Sequence, residues 1–600
     1  MCPIRPITPS TARSRPLHTT AKAIVPSLLL LLPMAIQGGE RPETWQEVFA
    51  YCQETSVEFG TDGNPVVLRR AVKPPPPPDP AAPPFDPDRM AANQAANGDP
   101  QRAETFLTWL DKEYAEAGET VLVAGTDAGG VYVLTEHGAL ARGLRRYDMA
   151  TKKAVWLTAP GDTRELVGPL FLADGNGGTC LAGLVWNSPE GTRTEWRDPA
   201  MDALQTHLEK AFPGAGFDWL APSPDGGSWI VRARHRDRPS TWLAVDVSAA
   251  SWRVLAECPV EVTPTKRTLF HWTASDGMSL SGVFTRPDGP GPHPLVVFPH
   301  GGPGALSTTD FDERVWALAD AGFAVFQPNY RGSAGFGKAF RLAGWGAEGI
   351  RRALLDVREG TAALLADSSA RLDGAPPVLF GGSWGGYVAL EELAMFPGEW
   401  AGAVSFFGTF DLPELLRAEW ARAGEGTTAA ETERTRRSLR RQFGDPASPA
   451  NLEALGALSP VNFAASIRAP VILFHNRADR VIAFEQSERM AEALQRAGVP
   501  VQFHAGDGSH GWSPAEEAAL YATLARNFRR WIAPPPDAGR KPAAPPQATV
   551  PSQPRGRSPT ARRQVAQVAE SSARPTGKLK GFKKAAAVLR PPPSPAELRR

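Results

Sequence analysis

A serine set between glycines, where an apolar strand meets an apolar helix, constrains this chain more than any other feature. Pro377-Val-Leu-Phe380 reads as a strand, Gly381-Gly-Ser383-Trp-Gly385 as a tight turn of pattern G-x-S-x-G, and Val388-Ala-Leu-Glu-Glu-Leu-Ala394 as a helix. Such an elbow holds the serine hydroxyl out above a helix N-terminus, and glycines two residues before and after let neighbouring backbone crowd in. Ser383 is therefore the candidate nucleophile.

A serine hydroxyl attacks only when a base takes its proton, and behind an elbow of this kind the acid and the histidine follow in chain order. Downstream, Val471-Ile-Leu-Phe-His475 suits a buried parallel strand and ends in the loop Asn476-Arg-Ala-Asp479-Arg480, ahead of a helical pattern from Gln486 to Ala497. The next strand, Val501-Gln-Phe-His504, runs into the glycine-rich loop Ala505-Gly-Asp507-Gly-Ser-His510-Gly-Trp512. Strand C-terminal ends are where an open α/β sheet assembles its site, so Ser383, Asp479 and His510 fall on one rim. Asp507 competes for the acid role, but it sits three residues from His510 in the same loop. His504 alternates with apolar neighbours on its strand, and His475 ends a strand with no glycine loop to project it. His510 is the expected base and Asp479 its orienting acid.

Upstream, the apolar strand Pro294-Leu-Val-Val-Phe-Pro299 is followed by His300-Gly301-Gly302-Pro303-Gly304. Acyl transfer needs preorganised donors for the tetrahedral oxyanion. In this arrangement they are the amide after the nucleophile, Trp384, and one from the loop after this earlier strand, Gly301 or Gly302.

Five motifs in order, His300-Gly-Gly-Pro303, Pro328-Asn-Tyr-Arg-Gly-Ser-Ala-Gly-Phe-Gly337, Gly381-Gly-Ser-Trp-Gly-Gly-Tyr387, Leu473-Phe-His-Asn-Arg-Ala-Asp479 leading to Gln486-Ser487, and Gly508-Ser-His-Gly511, resemble the catalytic domain of the prolyl oligopeptidase family, near its acylaminoacyl-peptidase and dipeptidyl-peptidase-like branches. The resemblance spans roughly residues 265–533 and implies an α/β-hydrolase fold with Ser383, Asp479 and His510 as the triad and the His300 loop as half of the oxyanion hole. Prolyl iminopeptidases share two of the motifs. The Asn329-Tyr-Arg-Gly-Ser333 stretch and the large N-terminal region fit the oligopeptidases better. Where the family usually places a proline shortly after the acid, this chain has Ile482-Ala483, which alters a turn and not the carboxylate.

In that family an N-terminal β-propeller screens the active site. Here Val121-Leu-Val-Ala124, Val131-Tyr-Val-Leu134, Trp229-Ile-Val-Arg232 and Trp242-Leu-Ala-Val245 read as short strands between Gly, Asp, Asn and Pro turns. At roughly 40–45 residues per blade the region holds about three or four blades, so an incomplete, open-sided gate is expected.

At 600 residues the chain exceeds a single core, and its 42% hydrophobic and 8% aromatic content suits a globular protein. The expected organisation is an apolar leader at 1–38, an N-terminal segment with a polyproline linker at 39–100, a propeller-like domain at 101–262, the hydrolase domain at 263–533 and a basic tail at 534–600. The run Ala23-Ile-Val-Pro-Ser-Leu-Leu-Leu-Leu-Leu-Pro-Met-Ala-Ile36, preceded by basic residues, has a signal-peptide shape and is too short and proline-broken for a membrane span. Export to the periplasm or medium is expected, with a cytoplasmic chain the alternative. The net charge of +1 hides a basic tail, read as a solvated extension, and an acidic remainder. Four cysteines, Cys2, Cys52, Cys180 and Cys258, show neither a disulfide framework nor metal spacing. The glycine runs at 125–130 and 175–178 lack a following Lys-Ser/Thr and read as turns.

The reading is an exported serine peptidase that cuts short peptides. No metal, no cofactor and no nucleic-acid partner is expected, and a homodimer remains open. A carboxylesterase of the same fold and a non-catalytic binding protein are the alternatives.

Overall fold

The computed structural model describes residues 42–59, 64–69, 106, 109–110, 122–127, 129–136, 139–173, 179–223, 226–425 and 429–533. The apolar leader, the polyproline stretch, the glycines at 175–178 and the basic tail lie outside the described residues.

The described chain starts with helix α1 (Pro42–Glu54). An antiparallel hairpin, Thr55–Phe59 with Pro65–Arg69, and then three antiparallel meanders follow. The first joins Leu122–Asp127, Gly130–Thr135, Gly143–Asp148 and Ala154–Trp156. The second joins Glu165–Ala173, Thr179–Ser188 and Gly191–Trp196, and leads into helix α2 (Pro199–Ala211). The third joins Gly216–Pro222, Ser228–Arg234, Thr241–Asp246 and Ser251–Ala256. Large aromatics fill the space between the second and third meanders: Trp196 meets Trp219 and Trp229 edge-on, with ring centres 5.1 and 6.1 Å apart.

The rest is an α/β-hydrolase domain. Its strands are β1 (Thr265–Thr273), β2 (Ser279–Pro287), β3 (Leu295–Val297), β4 (Ala324–Asn329), β5 (Val378–Gly382), β6 (Gly402–Phe406), β7 (Val471–Asn476) and β8 (Val501–Gly506). They lie in the order β1-β2-β4-β3-β5-β6-β7-β8, antiparallel across the first two pairings and parallel from β4 onward. The helices that cover the sheet include α3 (Glu313–Asp320), α4 (Gly346–Ala366), α5 (Trp384–Met395), α6 (Glu485–Arg496) and α7 (Pro514–Ile532).

The central strands are unbroken apolar runs because helices bury both of their faces. Alternation along each strand deals side chains to two cores. Leu295, Val297, Leu379, Ala403 and Leu473 face the core that includes α4, α5 and α6. Val296, Val378, Phe380, Val404 and Ile472 face the core that includes α1, α3 and α7. Helix α1 thus belongs to the hydrolase core although it precedes the β meanders. Its Trp45 is fully buried and donates from Nε1 to Asp320 at 2.7 Å. Among the described residues no helix is long and apolar enough to cross a membrane.

Candidate active site

Ser383 ends the turn between β5 and α5 at φ 56°, ψ −124°. A non-glycine residue there stores strain of roughly 1–3 kcal/mol and persists only when its surroundings enforce it. The Ser383 N–H donates to Phe406 O at 2.8 Å, and the Tyr387 N–H donates back to Ser383 O at 3.1 Å. The flanking glycines are required by close approach. A Cβ on Gly385 would lie 2.2 Å from Pro299 O, and one on Gly381 would lie 2.3 Å from Gly385 O. Trp384 is the first residue of α5, so its N–H has no acceptor within the helix and is free to meet a developing oxyanion.

The His300 loop lies against this elbow. A Cβ on Gly301 would sit 3.2 Å from Gly382 O and 3.6 Å from Ser383 Cβ, and Gly302 takes φ 121°. Two residues to which the sequence reading gave no role hold the loop. Tyr330 is fully buried and donates its hydroxyl to His300 O at 2.7 Å, its ring stacked 4.5 Å from the imidazole. Ser333 Oγ lies 2.7 Å from His300 Nε2. Burial pulls the His300 imidazole down to about 4, against the hydrogen bond with Gly301, so it stays neutral in a structural role. The signal for Tyr330 and Ser333 was the Pro328-Asn-Tyr-Arg-Gly-Ser motif, whose side-chain partners only the fold shows.

Across the elbow, His510 Nδ1 lies 2.6 Å from Asp479 Oδ2. Asp479 Oδ1 accepts the Val481 and Ile482 N–H groups at 2.8 and 3.0 Å. Burial alone would raise this carboxyl. Hydrogen bonds from His475, His510 and the Ile482 amide outweigh it and hold the group below the usual carboxylate range. His475, fully buried, is a second imidazole at the same carboxylate: Nε2 lies 3.3 Å from Asp479 Oδ2 and 3.1 Å from Ile482 O, and Nδ1 lies 2.7 Å from Ser487 Oγ. Asp507 is placed differently. Its side chain is 95% exposed and faces Arg477 at 3.4 Å. His504 stacks on Phe474 at 4.7 Å, away from the carboxylate.

The His510 loop is pinned by Asn476, the last residue of β7, whose Nδ2 donates to Ser509 O and Gly511 O, each at 2.8 Å. Asn476 was quoted in the motif without a role. Phe407, at φ 40°, places its ring 4.3 Å from that of His510. Ser383 and His510 line one cavity of about 490 Å³ together with Gly301, and every lining residue lies between Phe298 and Tyr521. The size is ordinary for a small-molecule site. The described residues contain no cluster of three or more His, Cys, Asp or Glu side chains able to hold a metal ion.

The β meanders touch the rim rather than the cavity. Glu165 accepts from the Gly335 N–H at 2.5 Å and from Arg341 at 3.4 Å, and Glu136 also pairs with Arg341. Arg234 pairs with Asp310, and the Phe311 N–H donates to His235 O at 2.8 Å.

Residues 309–534 match the Prolyl oligopeptidase family. Dipeptidyl aminopeptidase BIII of Pseudoxanthomonas mexicana is 27% identical over 357 residues, 56% of this chain and 49% of that protein. The Acylamino-acid-releasing enzyme of Mus musculus is 28% identical over 224 residues, 35% of this chain and 27% of that protein. The chain thus spans about half, or less, of the length of these curated relatives. Among solved structures, Pyrococcus horikoshii acylaminoacyl peptidase superposes with a TM-score of 0.53 at 18% identity, over 69% of this chain and 63% of that one. A puromycin hydrolase superposes with a TM-score of 0.54 at 22% identity, over 69% and 61%. These likenesses establish the fold.

Proposed function

We propose, for a chain whose residues 309–534 belong to the prolyl oligopeptidase family, that it is a serine peptidase hydrolysing short peptides through an acyl-enzyme. The observation that carries the reading is the strained Ser383 facing the same cavity as His510, whose far nitrogen is tied to a buried carboxylate. Ser383 Oγ attacks the acyl carbon and His510 Nε2 takes its proton, then returns it to the leaving amine. Asp479 fixes the tautomer that keeps Nε2 free to accept, and stabilises the imidazolium once it forms. The Trp384 N–H and the Gly301-Gly302 loop supply the oxyanion donors. Peptide substrates fit the names of the relatives, a dipeptidyl aminopeptidase and an acylamino-acid-releasing enzyme.

An ester asks for the same groups, so a carboxylesterase is the second reading, favoured by a cavity that no meander residue lines among the described residues. A panel of aminoacyl and dipeptidyl amides beside matched acyl esters decides between them. Cleavage of amides with a free or blocked amino terminus supports the peptidase. Cleavage of esters alone makes it an esterase, and cleavage of neither overturns both.

A further inference from the structure

The catalytic cavity extends beyond the groups that hydrolysis uses. Next to Ser383 its wall is aromatic, built by Phe298, Phe380, Phe406 and Phe407. The same lining carries ionic groups, Asp312, Glu313 and Arg314 at the start of α3 and Glu517 on α7, and Tyr521, also on α7, sets its ring 5.5 Å from that of Phe380.

The charges there do not balance. Glu517, 3% exposed, accepts from Arg314 Nε at 2.5 Å and from Gln53 Nε2 at 2.7 Å. Gln53 Nε2 lies 3.4 Å from Glu313 Oε1. Asp310 pairs with Arg234, while Asp312 caps α3 and accepts from Gln327. Arg267 acts on Asp310 and Asp312. Among the described residues four carboxylates therefore stand against three guanidinium groups, and Glu313 is raised above the usual carboxylate range by burial first, with Arg314 opposing and the like charges of Asp312 and Glu517 adding to it, so a cation brought beside it restores its ionised form. Independently, the Tyr521 hydroxyl lines the cavity fully buried with no hydrogen-bond partner among the described residues, within electrostatic reach of Glu517, Arg314, Asp312 and Glu313. A buried hydroxyl left unpaired is costly, so a ligand group that donates to it is favoured.

A lining that combines phenyl rings with an excess of carboxyl groups suits a side chain with a methylene stem and a cationic head. The side of the scissile bond follows from His510. Because His510 returns its proton to the leaving amine, the leaving segment lies over this histidine, and Gly511 and Trp512 beyond it continue the same cavity wall.

We propose that this cavity is the subsite for the lysine or arginine side chain of the residue that follows the scissile bond. The phenyl rings take the stem, while the Glu313 carboxylate and the Tyr521 hydroxyl oxygen accept hydrogen bonds from the cationic head. The assignment rests on the hydrolytic reading above.

The test uses the full chain and quenched fluorogenic peptides that differ only in the residue after the scissile bond: lysine, norleucine or glutamate. With a charge-assisted pair at stake, kcat/KM for lysine should exceed that for norleucine by about tenfold and that for glutamate by about a hundredfold. In Glu313→Gln the lysine-to-norleucine ratio should fall to about twofold or less, and in Tyr521→Phe to about threefold, by loss of the same charge-assisted contacts. Glu453→Gln, on an exposed helix outside the cavity, should keep the wild-type ratio. A ratio within one variant is insensitive to how much of the protein is folded. Cleavage of the norleucine peptide with no preference for lysine, or an unchanged ratio in Glu313→Gln, overturns the subsite and leaves the hydrolase reading standing. Cleavage of none of the peptides overturns both.

Discussion

The eight-stranded sheet and the three β meanders are built from different kinds of information. In the sheet, each strand that bears chemistry ends in a loop with its own local signature: Ser383 after β5, Asp479 after β7, His510 after β8 and Gly301 after β3. In the meanders the strands are short, the repeats faint, and the aromatic side chains that join them come from strands of different meanders, as with Trp196 and Trp229. One region holds the Ser383 elbow and the His510–Asp479 pair; the other meets it at the loops around Asp310 and Gly335, through Arg234 and Glu165. On the function proposed above, the reacting groups and the access to them are separable, and each can be disturbed without the other.

The largest effect should come from the nucleophile. Ser383→Ala should lower kcat by about 10³-fold or more and abolish labelling by a fluorophosphonate, with the melting temperature close to wild type. Equal labelling of both proteins would remove the sheet's rim from the chemistry. The acid follows. Asp479→Asn should cost about 10²-fold or more in kcat, whereas Asp507→Asn, exposed beside Arg477, should stay within about threefold. The reverse ranking would hand the role to the His510 loop's own carboxylate. A smaller loss, about tenfold in kcat with KM little changed, is expected for Tyr330→Phe, which releases the His300 carbonyl and slackens the oxyanion loop without touching substrate.

The access side of the comparison is tested by substrate length. If three meanders leave the cavity open at the side, kcat/KM should fall by no more than about fivefold as a cleavable sequence grows from a tripeptide to about 30 residues. A sharp cutoff would show that the meanders gate the rim after all.

The mildest prediction concerns stability inside the hydrolase core. Burial raises the Glu391 carboxyl to about 8, and one of its oxygens, with both of those of Glu392, has no hydrogen-bond partner among the described residues. The folded chain then keeps a proton that the unfolded chain releases near pH 4.5, so stability falls as pH rises between about 4.5 and 8. Wild-type melting temperature should drop by about 3 °C or more from pH 5 to pH 8, and by less in Glu391→Gln. An identical drop in both would assign the pH dependence elsewhere.

Much of the site was legible in the chain because it is written in contiguous stretches. Gly381 to Gly385 demands a turn with crowded backbone, whatever surrounds it. Chain order after the elbow pointed to Asp479 and His510. Asp479 was separable from Asp507 because an acid three residues from its histidine, in the same loop, is poorly placed to orient the ring. Other parts were not legible. That Tyr330 and Ser333 hold the His300 loop, that Asn476 ties down the His510 loop, and that His475 shares the Asp479 carboxylate are contacts between residues that no local pattern joins. His475 looked like a strand-end residue because its partner Ser487 lies on the next helix.

By itself, then, the sequence pointed to the strand-turn-helix elbow, to Ser383, Asp479 and His510 in that order as candidates, and to β5 and β7 as apolar strands, since glycine sterics and apolar runs are local properties. Only the tertiary structure decided what fills the space around them. It set α1 against α7 so that Gln53 reaches Glu517, brought Arg234 across to Asp310, and left the Tyr521 hydroxyl in the cavity lining with no partner among the described residues. Those placements depend on how helices far apart in the chain pack on a common sheet, and packing is a property of the assembled core that no single stretch of residues encodes.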